Sequence, residues 1–180
     1  MSANTAIRTF ITILGALPAG VIDPNRVGQS GPGVAADLPR IAVSFEQVRE
    51  SGIGIGGVVG LAFDGAQWIT STGTRASGLL RVEIWTADEP GMSKIADAVL
   101  TLLAASRDTL FTSGFARFET RALHSAEAVS LRDVSGAVHR ALEFSVVHED
   151  VATLATGPGG VIKGIDVAIN GQMNEKLTVK

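Results

Sequence analysis

LLRVEIW (Leu79–Trp85), TADEP (Thr86–Pro90) and GMSKIADAVLTLLAAS (Gly91–Ser106) follow one another in the chain, and together they decide the fold class. In the first stretch Leu80, Val82 and Ile84 alternate with Arg81, Glu83 and Trp85, the period of a half-buried strand. In the second, Asp88 or Glu89 suits the positive end of a helix and Pro90 suits its first turn. In the third, Met92, Ile95, Ala96, Val99, Leu102 and Leu103 recur at helical spacing and make one apolar stripe. Outward from this unit, Phe115–Arg121 and Val138–His148 alternate as strands, and Leu142, Phe144 and Val146 share a face. Leu123–Leu131 is ambiguous; read as a third strand, it leaves Asp133–Gly136 as the turn into the last. Toward the N-terminus, Ile7, Phe10, Ile11, Leu14 and Leu17 predict an amphipathic helix over 5–17, capped by Asn4 or Thr5 and stopped by Pro18 and Gly20. Asp23-Pro24-Asn25 predicts a turn within a long loop over 18–38. A strand is expected at Pro39–Val48, where Ile41, Val43 and Phe45 alternate with Ala42, Ser44 and Glu46. The expected class is α+β: a small mixed or antiparallel sheet packed with two amphipathic helices.

Two segments stand apart from this core. Residues 51–78, SGIGIGGVVGLAFDGAQWITSTGTRASG, are too rich in glycine for helix. Asp64-Gly65 is a turn signal between Val58–Phe63 and Gln67–Ser71, so a long β-hairpin or a mobile loop is expected. Near the C-terminus, Thr156–Gly160 reads as a flexible joint. Beyond it, Val161–Ile169 and Gln172–Val179 flank Asn170-Gly171, a strong hairpin signal. The organisation expected is a core domain over 1–150, interrupted by a glycine-rich insertion over 51–78, and a β-hairpin arm over 157–180. An isolated hairpin is marginal in water and needs a sheet to join.

Composition narrows the function classes. The chain has 180 residues, 46% hydrophobic and only 18% charged, against about 25% charged in soluble domains. Such a surface is economically covered by other copies, which predicts a homo-oligomer; the alternative is a monomer with bland Ala/Gly surfaces. Net charge is −3 and the sequence holds no Lys/Arg block. That argues against a sequence-reading nucleic-acid binder, while leaving room for a neutral wall that nucleic acid slides past. The absence of cysteine excludes disulfides and thiolate metal sites. No apolar run reaches the length of a membrane-spanning helix, and Ile7–Leu17 reads as part of the mature chain rather than as a signal peptide.

No motif carries catalytic chemistry. Gly52–Gly57 matches G-x-G-x-x-G, but a dinucleotide site needs a helix next and an acidic residue some twenty positions on. Here Val58-Val59-Gly60-Leu61 follow, and position 77 is serine. Gly157–Gly164 lacks the Lys-Ser/Thr ending of a phosphate loop. His124, His139 and His148 show no metal-ligand spacing, and their default placement is at the surface or on an edge strand. No G-x-S-x-G elbow occurs, and Asp97 with Glu83 has no better claim than chance to be an acid–base pair. No catalytic, cofactor or metal residue is expected.

The blocks LLRVEIWTADEPGMSKIADAVLTLL (79–103), GFARFET (114–120) and AVSLRDVSGAVHRALEFSVVHE (128–149) resemble the tail-terminator, or tail-tube capping, family of long-tailed bacteriophages and related contractile injection systems. The last block carries Arg140 and Phe144 in an R-x-x-x-F strand, and an N-terminal helix like 5–17 is also typical. The resemblance covers roughly residues 75–149. It implies a structural, non-enzymatic α+β subunit of the virion tail or neck, assembled in the host cytoplasm. Such subunits form a homo-oligomeric ring, a hexamer, that caps the tail tube. The implied partners are tail-tube subunits and neck or head-completion proteins, with passive contact to DNA in the lumen and none to membrane. Another neck, tail-completion or tube-associated subunit would share this description. The long insertion and the extra arm depart from the family pattern. In this reading Arg81, Glu83 and Trp85 on the strand face meet a neighbour. The arm, through Val161, Ile165, Val167, Ile169 and Leu177, pairs with an adjacent subunit by strand addition. The rival from another class is a small ligand-binding or enzymatic α+β domain with a pocket near the glycine-rich loop.

Overall fold

The structure, a computed structural model, describes residues 2–63, 65, 68–131, 135–156, 165–169 and 173–177. It divides into two units: Met1–Gly52 with Thr74–Asp150, and Ile53–Gly73 with Val151–Lys180. The fold is α+β, with a mixed, mostly antiparallel sheet. The elements are α1 (Ser2–Leu14), β1 (Val27–Gly28), β2 (Arg40–Phe63), β3 (Trp68–Thr86), α2 (Glu89–Ala105), α3 (Arg107–Thr112), β4 (Phe115–Leu123), β5 (Glu127–Ser130), β6 (Ser135–Thr156), β7 (Ile165–Ile169) and β8 (Met173–Leu177). The main sheet runs β1-β2-β3-β6-β4, with β5 paired to β6. The ambiguous stretch after Leu123 thus contains a true strand. Strand β1 is parallel to β2, whereas β4 and β5 are antiparallel to β6.

In the first unit the helices cover one face of the sheet. Phe10 and Leu14 of α1 and Met92, Ile95, Val99 and Leu103 of α2 share a core with Ile41, Val43, Leu80, Val82, Ile84, Leu142, Phe144 and Val146. Phe10 lies 5.6 Å from Phe118 and 6.2 Å from Phe144, ring centre to ring centre, and Phe118 stacks on Phe144 at 4.8 Å. Such aromatic clusters add to the area they bury. Helix α2 begins where Asp88 accepts a hydrogen bond from the Gly91 N–H at 2.6 Å, with Pro90 in the first turn. Helix α3 was not expected, because it buries only Leu110 and offers no stripe.

Strand β2 contains one irregularity that positions side chains. Gln47 has φ 52, a left-handed conformation in the middle of a strand. It sits beside Gly78 of β3, where an added Cβ would lie 2.6 Å from the Glu46 carbonyl oxygen and 3.3 Å from that of Gln47. Before this point Ile41, Val43 and Phe45 belong to the helix-covered core. After it Arg49, with the same numbering parity, is exposed. A bulge of this kind re-aims the side chains that follow.

The second unit holds the ends of β2 and β6, the start of β3, and the β7–β8 hairpin. Residues 53–63 and 68–73 are strand, not a mobile loop, and Gly65 has φ 99, as a hairpin turn requires. Gly73 makes close packing possible here, since a Cβ on it would come 2.7 Å from a Val59 methyl. Strands β7 and β8 form a separate two-stranded antiparallel sheet, with Ile165 opposite Leu177 and Ile169 opposite Met173. The Asn170-Gly171 turn, the joint at 157–160 and Val161 lie outside the described residues.

Candidate functional site

Arg81, Glu83 and Trp85 lie on the face of β3 opposite Leu80, Val82 and Ile84, all three of which are fully buried. The structure brings the trio together with His139 of β6 and Glu127 of β5. Arg81 Nε is 3.3 Å from Glu83 Oε1, and Glu83 Oε1 is 3.6 Å from His139 Nε2. His139 Nδ1 is 3.0 Å from Glu127 Oε1, and its ring centre is 4.2 Å from that of Trp85. A carboxylate at Nδ1 favours the tautomer whose N–H donates there. Buried His139 Nε2, Trp85 Nε1 and Arg81 Nε have no hydrogen-bond partner among the described residues.

A loop covers Trp85. A Cβ placed on Gly31 would sit 3.6 Å from Trp85 Nε1. The loop is held by Asp37, whose carboxylate accepts from the backbone N–H groups of Gly33 (2.9 Å) and Val34 (3.3 Å). Those bonds hold the Asp37 pKa below the ordinary carboxylate value. Arg40 Nε donates to the Ser30 carbonyl at 2.7 Å, and Arg26 Nη1 to that of Ala36 at 2.8 Å. Trp85 is therefore half-buried within the chain itself. Beside the cluster lies a cavity of about 230 Å³, lined by Arg81, His124, Ser125, Glu127 and His139.

Two histidines depart from their expected surface or edge placement. His139 and His148 are both buried, on β6, which lies between β3 and β4. His148 Nε2 is 3.2 Å from the Ser113 carbonyl oxygen and its ring packs edge-on against Phe115. Burial lowers its pKa, partly offset by the Ser113 contact and by Asp150 and Glu149. No sequence signal marks these positions, because their burial depends on which strands flank β6. Among the described residues, no group of three His, Asp or Glu side chains is arranged to hold a metal ion. The G-x-G-x-x-G match lies inside β2 and leads into more strand, without the helix a pyrophosphate site needs.

The larger unexplained surface is in the second unit. Apart from Phe111 and Leu123, the strongly exposed large apolar residues among those described all belong to it. They are Ile55 (93% exposed), Val58, Val59, Leu61, Phe63, Trp68 and Val151. Val58 and Val59 are consecutive strand residues, so both faces of the hairpin present apolar groups. Phe63 and Trp68 pack on each other near the turn, 5.3 Å apart. The interface set expected from the sequence omitted these residues. The signal that marks them is the absence of any charge but Asp64 between Glu50 and Arg75. Of the arm residues in that set, Ile165, Val167, Ile169 and Leu177 lie on β7 and β8.

No protein-family model matches the chain, and no curated protein matches it.

Proposed function

We propose that this chain is a structural assembly subunit that closes into a ring, of the tail-terminator or related neck and tube-associated kind. The observation that carries the reading is the two-sided hairpin at residues 53–73, whose single charged residue is Asp64, with Ile55, Leu61 and Phe63 more than half exposed. Exposed apolar patches of this sort mark surfaces that other chains cover. Full burial of each such side chain contributes about 1.5–3 kcal/mol, so repetition around a ring supplies stable association from modest contacts. Strand addition is the natural mode, because an uncovered hairpin or sheet edge pairs readily with a neighbour and closure of the ring removes the hazard of runaway growth. Arg81, Glu83 and Trp85 contribute through the shape of the loop-covered face, since the Arg81 and Glu83 charges are paired with each other, Glu83 lies beside His139, and the Trp85 ring packs on His139. The resemblance over residues 75–149 supports the identity of the ring as a tube cap.

The test is electron microscopy of the protein, alone and mixed with a purified long-tailed-phage tail-tube protein. Closed rings that seat on tube ends and halt their growth support the reading. Tubes that elongate unchanged in its presence contradict the capping role.

A further inference from the structure

On the open face of the first unit's sheet, away from the Trp85 cluster, arginines from distant parts of the sequence meet. A cavity of about 330 Å³ is lined by Arg49 of β2, Ser77 of β3, Ser145 of β6, and Arg117 and Arg121 of β4, with Gln47 at its rim. No acidic side chain lines it. Arg117 is paired with Glu119. Among the described residues Arg49 and Arg121 have no acidic partner within 4.0 Å, so two guanidinium charges there lack an ion-pair partner. Two irregularities put them there. The left-handed Gln47 precedes Arg49 and breaks the alternation that would have sent it toward the helices. Arg121 falls at a register shift in the β4–β6 ladder, between Thr120 and Ala122. A non-glycine residue at positive φ costs about 1–3 kcal/mol and persists where the surroundings enforce it, commonly at functional sites. Bulges next to such sites re-aim side chains.

We propose that this cradle binds a ligand carrying one or two phosphoryl groups. The charge matches: a phosphoryl group carries about two negative charges at neutral pH, the number of guanidinium charges left uncompensated. The donor count matches as well. Each guanidinium offers a planar fork of N–H donors. With the hydroxyls of Ser77 and Ser145, the cavity supplies more donors than the two oxygens of a carboxylate accept, and a phosphoryl group presents at least three. The spread also fits. Strands β2 and β4 are three strand spacings apart, about 14 Å at the backbone, so a pyrophosphoryl unit or a phosphoester with a small remainder spans the gap better than a single compact anion. This site does not depend on the ring reading, since it lies wholly within the first unit.

The experiment is isothermal titration of the full-length chain with inorganic pyrophosphate and, separately, with a short oligothymidylate, at matched ionic strength. The expected result is saturable binding of pyrophosphate, weakened about tenfold or more in Arg49→Gln and in Arg121→Gln. Arg8→Gln, on the exposed face of α1, should leave it unchanged. Tighter binding of the oligonucleotide with the same arginine dependence assigns the phosphoryl groups to a polymer backbone; tighter pyrophosphate binding assigns them to a free ligand. Both arginines are exposed, and unchanged melting temperatures confirm that the variants fold. Absence of saturable binding to either probe overturns the proposal. So does an equal loss in Arg8→Gln, which would reduce the effect to net charge.

Discussion

Gln47 and Gly78 face each other across β2 and β3: the left-handed turn of the backbone at Gln47 brings its carbonyl oxygen to 3.3 Å from where a Gly78 Cβ would be. Glu46 O would lie at 2.6 Å and a Phe45 ring carbon at 2.9 Å. Gly78→Ala therefore forces a backbone shift and is expected to cost about 1–3 kcal/mol. Gln47→Gly removes the left-handed strain and is expected to leave stability unchanged or raise it by up to about 1 kcal/mol. Equilibrium denaturation in urea measures both.

His148 makes stability depend on pH. Burial holds its folded-state pKa below the unfolded value of 6.5. The folded state therefore resists protonation, and the unfolded chain binds the extra proton. By linkage the full stability is present above about pH 6.5 and is lost as pH falls below it, down through the depressed folded pKa. His148→Gln can keep a donor to the Ser113 carbonyl but does not titrate. Its melting temperature should fall less than that of the parent between about pH 7 and about pH 5. Equal slopes would place the acid sensitivity elsewhere.

Asp88 caps α2 through the Gly91 N–H. Asp88→Ala leaves that donor without its side-chain acceptor and should cost about 1 kcal/mol, while Asp88→Asn should cost much less. Thermal unfolding of the two variants side by side separates the cap from a general effect of charge.

Leu61 and Phe63 are 53% and 56% exposed. Replacing either by Asp should change the stability of the subunit by less than about 0.5 kcal/mol, as surface substitutions do, yet weaken self-association by about tenfold or more per site if each is buried between copies. Sedimentation velocity together with thermal melts checks the two halves of this expectation separately.

Local pattern made much of the fold legible. The stripe from Met92 to Leu103, with Asp88 and Pro90 before it, specified α2, and the alternation through Leu80, Val82 and Ile84 specified the core face of β3. Glycine at 51–57 left a β-hairpin and a mobile loop both open; β2 continues as strand through it to Phe63, which is the hairpin alternative. Helix α3 left no stripe because Phe111 is 71% exposed and only Leu110 is buried. What depends on strand order was not legible. The burial of His139 and the meeting of Arg49 with Arg117 and Arg121 follow from β6 lying between β3 and β4. The bulge at Gln47 carries no sequence mark either, since glutamine is not a residue that signals positive φ.

The central claim is that the exposed hairpin exists to be covered by other copies. Its most direct test is the mass of the intact chain by sedimentation velocity over a wide concentration range. Assembly through the hairpin gives one closed species at a fixed integer multiple of the 18.6 kDa subunit, which reverts to the subunit in Leu61→Asp. A particle of 18.6 kDa at every concentration would contradict it.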